Sequence, residues 1–150
     1  MFALVLSTAY AGAEETATLT LSSSNKFASG SGSDFTATKD VTATNNDTIT
    51  WTVSGTNGCN VQNSYNTQYA GQQFGTGSTN IKHHFTADFS SYTVTKVEVK
   101  AAAGSTTPTI DISVGGNSYL TQNLSKTSST YSTGTISATG NVVITLDQVL

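Results

Sequence analysis

Residues 92–124 read YTVTKVEVKAAAGSTTPTIDISVGGNSYLTQNL. Val97, Val99 and Ala101 alternate with Lys96, Glu98 and Lys100, which suits a strand with one dry face and one wet face. A small, polar connection containing the chain's single proline, Pro108, follows. Ile110, Ile112 and Val114 then alternate with Thr109, Asp111 and Ser113. Gly115-Gly116 stands where a tight hairpin needs positive φ, and Tyr119 opens the return strand. The stretch predicts three consecutive antiparallel strands, a meander.

Composition extends that reading to the whole chain. At 150 residues the chain is long enough for one domain with a real core. Ser and Thr together make up about a third of it, and charged residues only 10%. Threonine loses rotamer freedom in a helix but packs well on a pleated surface, so the balance favours strands. Six lysines, no arginine and nine acids give a net charge of −3. Without arginine forks or a basic cluster, neither nucleic acid nor an anionic membrane surface is an expected partner. Cys59 is the lone cysteine, so no internal disulfide can form, and it reads as a small buried hydrophobe.

Outward from the central stretch, residues 1–13, MFALVLSTAYAGA, carry a short apolar run and A-x-A spacing ahead of Glu14-Glu15. They read as the back half of a secretory signal, with Met1 an internal methionine; the alternative is a first strand or short helix packed on the domain. Residues 14–150 then form one domain, placed outside the cell or on its surface. Ala17, Leu19 and Leu21 mark a strand, and Phe27 an inserted ring in a Ser/Gly/Asn loop. Residues 34–43 form a weak strand. Residues 48–54, TITWTVS, form a strong one with Ile49, Trp51 and Val53 inward. Trp51 reads as core. Residues 55–80 are too long for a plain loop and predict a hidden strand near 68–74. Ile81, His83 and Phe85 share a strand face, and residues 88–91 are expected to turn. Strands at 130–137 and 141–147 finish an all-β antiparallel sandwich of jelly-roll type with nine or ten short strands.

The pieces TITWTVSG (48–55), QYAGQQFGTGS (68–78), VTKVEVKAAA (94–103), ISVGGNSY (112–119) and ISATGNVVITLDQ (136–148) follow one another in a familiar order. Their series resembles secreted bacterial surface jelly-roll domains of Bacteroidetes and some Firmicutes, galactose-binding-like and mostly of unassigned function. The resemblance covers most of residues 17–148 and implies an accessory module of a secreted enzyme or adhesin. Such domains run on to a further apolar strand where this chain stops at Leu150. That omission predicts an open edge beside the C-terminal strand, ready to pair with another chain.

Chemistry is sparse. His83 and His84 are adjacent, so on a strand they face opposite sides and cannot share a metal ion. Asp34, Asp40 and Asp47, with Asn45 and Asn46, are the oxygens available for a structural calcium, in a spacing that matches no calcium loop. No cofactor is therefore expected. There is no nucleophile elbow, no paired carboxylate on a strand face and no phosphate loop, which argues against an enzyme. Glycan recognition needs aromatic rings against sugar faces and amides on hydroxyls. Residues 57–74 supply both, with Asn57, Asn60, Gln62, Asn66 and Gln73 beside Asn63, Tyr65, Gln68, Tyr69 and Gln72, the five expected ligand residues; otherwise the stretch is an ordinary polar loop. Asn117, Tyr119 and Gln122 form a second candidate surface. Two functions stay open: a carbohydrate-binding or adhesive module, and a structural spacer or assembly domain without a small ligand.

Overall fold

The structure is a computed structural model that describes residues 15–150 in full and residues 5–10 by their backbone. Alternating apolar positions form twelve strands among the described residues: β1 Val5–Tyr10, β2 Thr16–Thr20, β3 Gly30–Gly32, β4 Ala37–Thr42, β5 Thr48–Gly55 and β6 Cys59–Asn66. β7 Gly71–Phe74, β8 Ile81–Ala101, β9 Thr109–Val114, β10 Asn117–Asn123, β11 Ser129–Ser132 and β12 Ala138–Gln148 complete them. Every pairing is antiparallel. The molecule is an all-β sandwich, with more strands than the nine or ten expected.

β8, 21 residues long, belongs to both layers. Its first half pairs with β12 on one side and β5 on the other, giving the neighbour order β10-β9-β12-β8-β5-β4. Its second half pairs with β1 and β11, and β2 lies beyond β1. β3, β6 and β7 form a separate small sheet.

The expected turn at 88–91 is a bend within this one strand. Buried positions run Ile81, His83, Phe85, Ala87, Phe89, then resume at Val94, Val97, Val99 and Ala101, so the inward phase slips twice. Across the bend the register with β12 jumps from Phe89↔Gly140 to Val94↔Ala138. Gly140 sits there at φ 118, a conformation that favours glycine. Asp88 Oδ1 accepts from the Ser90 N–H at 2.9 Å on the exposed side of the bend. A bend and a turn both call for short polar residues, so the linear pattern does not separate them.

The meander is corrected in part. β9 and β10 form the expected hairpin, with Gly115 and Gly116 at φ 60 and 85. β9 does not pair with β8, however, because β12 lies between them. The connection after Ala101 crosses instead from one layer to the other. β12 is thus bonded on both flanks, which overturns the expected open edge beside the C-terminal strand. Among the described residues the seven-residue β10 is an edge strand that pairs only with β9, as the six-residue β4 pairs only with β5.

Of the leader-like residues 1–13, Val5–Tyr10 is β1, inserted between β2 and the second half of β8. The others lie outside the described residues.

Both layers turn their apolar residues into one cluster. Trp51, Phe27, Phe74, Phe85 and Phe89 are its largest members, each no more than 1% exposed. Removing such a side chain from water contributes about 1.5–3 kcal/mol. The Trp51 Nε1–H has no hydrogen-bond partner among the described residues. On the outside, Thr38, Thr52, Thr86, Val143, Ser113 and Ser118 stand in register across six strands. Part of the chain's Ser and Thr lies on this wet face.

Candidate functional site

Residues 59–80 decide where a ligand can bind, and buried polar side chains shape them. Gln72 is 0% exposed. Its Oε1 accepts from the Phe27 N–H at 2.9 Å, and its Nε2 donates to Phe27 O at 2.8 Å and Gln62 O at 2.9 Å. The amide thereby ties the β2–β3 loop to β6 and β7. Gln72 is a structural latch and is corrected as a ligand contact, because no ligand can reach it.

His83, 2% exposed, performs a similar task from β8. Its Nε2 accepts from the Asn60 N–H at 3.1 Å. Asn60 O, which also accepts from Gly75 N–H at 2.8 Å, is equally near and can accept from Nε2–H when the ring is protonated. Burial pushes the His83 pKa down to about 4, against a partial rise from the Asn60 backbone and a further lowering from His84. As expected, His84 faces the other way. Its Nδ1 lies 3.2 Å from Thr145 Oγ1 and its Nε2 2.5 Å from Thr56 Oγ1. Burial, then the Lys82 charge, lowers its pKa, and Asp147 opposes them.

A third buried amide closes the site. The inward phase of β12 runs Val142, Ile144, Leu146 and then Gln148, 6% exposed. Gln148 Nε2 donates to Thr76 O and, at 2.7 Å, to Thr79 O, while its Oε1 accepts from Thr106 Oγ1 at 3.2 Å. One side chain thus holds the 75–80 loop against the 102–108 connection. Between them lies a cavity of about 300 Å³. Its lining comes from Tyr69, Gln73 and Phe74, Gly75 to Gly77, Gly104 to Thr106, and Gln148. The two loops come close where a Cβ on Gly77 would meet Ser105 Oγ at 2.8 Å.

Of the five expected ligand residues, only Tyr69 reaches this cavity. The β6–β7 turn presents it: Asn66 Oδ1 accepts from the Tyr69 N–H at 3.2 Å, and Ala70 takes φ 51, unusual for a residue with a side chain. Asn63 is exposed on β6, where its carbonyl accepts from Lys26 Nζ at 2.7 Å. Tyr65 is half-buried on β6, and Gln68 is exposed in the turn. None of these three lines the cavity. Asn117, Tyr119 and Gln122 lie exposed on the edge strand β10, with Tyr119 at a bulge.

Sequence reading included Gln73 in the amide-rich stretch and missed Ser105, Thr106 and Gln148. Gln148 carried a signal, a polar residue in the inward phase of an apolar strand. The other two look like ordinary loop residues.

Among the described residues no three His, Cys, Asp or Glu side chains gather as metal ligands. Asp40 instead accepts from Thr50 Oγ1 at 2.7 Å, and Asp47 from the Asn45 amide and the Tyr92 hydroxyl. Cys59 is buried, and burial raises its thiol pKa, so it is a poor nucleophile. No helix among the described residues is long and apolar enough to cross a membrane. Comparison of the chain with family models, with curated proteins and with solved structures returns no match.

Proposed function

We propose that the chain is a non-catalytic accessory module, secreted or held at a cell surface, that binds carbohydrate in the Tyr69 cavity. The observation that carries this reading is the lining itself: the half-buried Tyr69 ring beside uncharged hydrogen-bonding groups. Gln73 Nε2, Ser105 Oγ and the Tyr69 hydroxyl have no hydrogen-bond partner among the described residues, so they are available to sugar hydroxyls. The cavity sits at the small end of the range for ligand pockets. Its lining holds no carboxylate, histidine or lysine to move a proton, which favours binding over catalysis. The order of strand-sized pieces that resembles secreted bacterial jelly-roll domains points the same way.

The test is a glycan array with the wild-type chain and Tyr69→Ala. The expected result is binding to at least one glycan class and its loss in Tyr69→Ala at an unchanged melting temperature. A blank array overturns the reading.

A second reading, the spacer or assembly domain, draws on the outer face and on β10. A hydroxyl-covered sheet ending in an uncharged seven-residue edge suits lateral pairing with another chain. A blank array together with concentration-dependent sedimentation would favour it.

A further inference from the structure

We propose that the cavity takes one uncharged sugar ring at the end of a glycan, rather than an acidic sugar or a run of internal units. This rests on the carbohydrate reading above and adds the class of sugar and the mode of entry.

Size sets the first limit. A cavity of about 300 Å³ has the liquid volume of about ten waters. One pyranose fills that space and a second must lie outside. The rings set the next. A run of internal units would be held by a row of exposed rings. The lining offers two, Tyr69 and Phe74, and Phe74 is 1% exposed, which leaves one ring for one sugar. Gly77 and Ser105 stand close across the two loops, where a Cβ on Gly77 would meet Ser105 Oγ at 2.8 Å.

Charge sets the third limit. Apart from the Tyr69 phenol, no lining side chain ionises. The nearest charges along β12 belong to the Asp147–Lys82 pair at 2.9 Å, which faces outward in the alternating phase that turns Gln148 in. A uronate or sialate carboxylate entering the slot would lose water and gain no cation, which disfavours it strongly. Neutral hydroxyls meet both kinds of partner. The Gln73 amide donates, Ser105 and Tyr69 donate or accept, and Thr106 Oγ1, donating to Gln148, keeps lone pairs to accept. Because the Gln148 amide is fully used in joining the loops, the slot is built before the sugar arrives, which lowers the ordering cost of binding.

The experiment is calorimetric titration of the full chain. The probes are methyl glycosides of neutral hexoses and N-acetylhexosamines, methyl glucuronoside, and a neutral linear polysaccharide before and after partial cleavage. The expected result is that a neutral glycoside binds at least tenfold more tightly than the uronide. Cleavage should raise the number of binding sites per gram in proportion to the new ends, and Tyr69→Ala should lose binding while melting as wild type does. Tyr69-dependent binding that prefers the uronide, or that ignores the number of chain ends, overturns the inference and leaves the carbohydrate reading standing. Failure of every saccharide probe overturns both.

Discussion

The sandwich core and the small sheet around residues 59–80 are held by different physics. In β9 and β12 every second residue is an aliphatic side chain driven out of water, as at Ile110, Ile112 and Val114 and at Val142, Ile144 and Leu146. That attraction scales with area and has no direction, so it tolerates a change of neighbour. The 59–80 region has few such residues. It is located by buried polar groups, Gln72, His83 and Gln148, each bonded to backbone of another segment. Those bonds are directional, and they set where the cavity walls stand. Area builds the scaffold; buried amides and one imidazole aim the site.

The contrast can be broken at several strengths. The largest effect belongs to the core. Trp51→Ala should cost about 3–5 kcal/mol of stability by denaturant unfolding, because it empties the largest buried side chain. A loss under about 1 kcal/mol would mean that the layers are not packed on this ring.

Acid should act next, on the small sheet. His83 titrates near its ordinary value when unfolded but at about 4 when folded, so the unfolded state gains a proton first as pH falls. The His83 contribution is intact above pH ~6.5 and declines towards pH ~4, by about 3 kcal/mol in all. His83→Gln should flatten that part of the stability–pH profile. An unchanged slope would place His83 in water.

Gln72→Leu keeps the volume and removes the latch. It leaves the Phe27 amide without its partner and should cost about 1–3 kcal/mol. The Phe27 N–H should then exchange faster than amides in β9 and β12. Uniform acceleration across both regions would show that the latch is not local. At the small end, Lys82→Ala removes a partly exposed ion pair to Asp147 and should change stability by under about 0.5 kcal/mol.

The same contrast explains what the sequence disclosed. Alternation at 97/99/101, 110/112/114 and 142/144/146 identifies strands and their dry faces, because a period of two follows from backbone geometry. It does not name partners, so β12 inserting between β8 and β9 was not legible. Nor was the bend at 88–91. The cavity was harder still. It joins Tyr69 and residues 73–77, 104–106 and 148, brought together only by folding. A glutamine that latches a loop and one that greets a ligand are the same letter. Hence Gln72 and Gln73 read alike, while only Gln73 lines the cavity. An aromatic ring among amides singled out Tyr69, which lines the cavity, but the same signal singled out Tyr65, which does not.

The most direct measurement is a two-dimensional amide NMR titration with a neutral oligosaccharide chosen from the array. Shifts should concentrate at residues 69–77, 104–106 and 148, with β9 and β10 quiet. Shifts centred on Asn117–Asn123, or spread over the outer threonine face, would contradict a site at Tyr69.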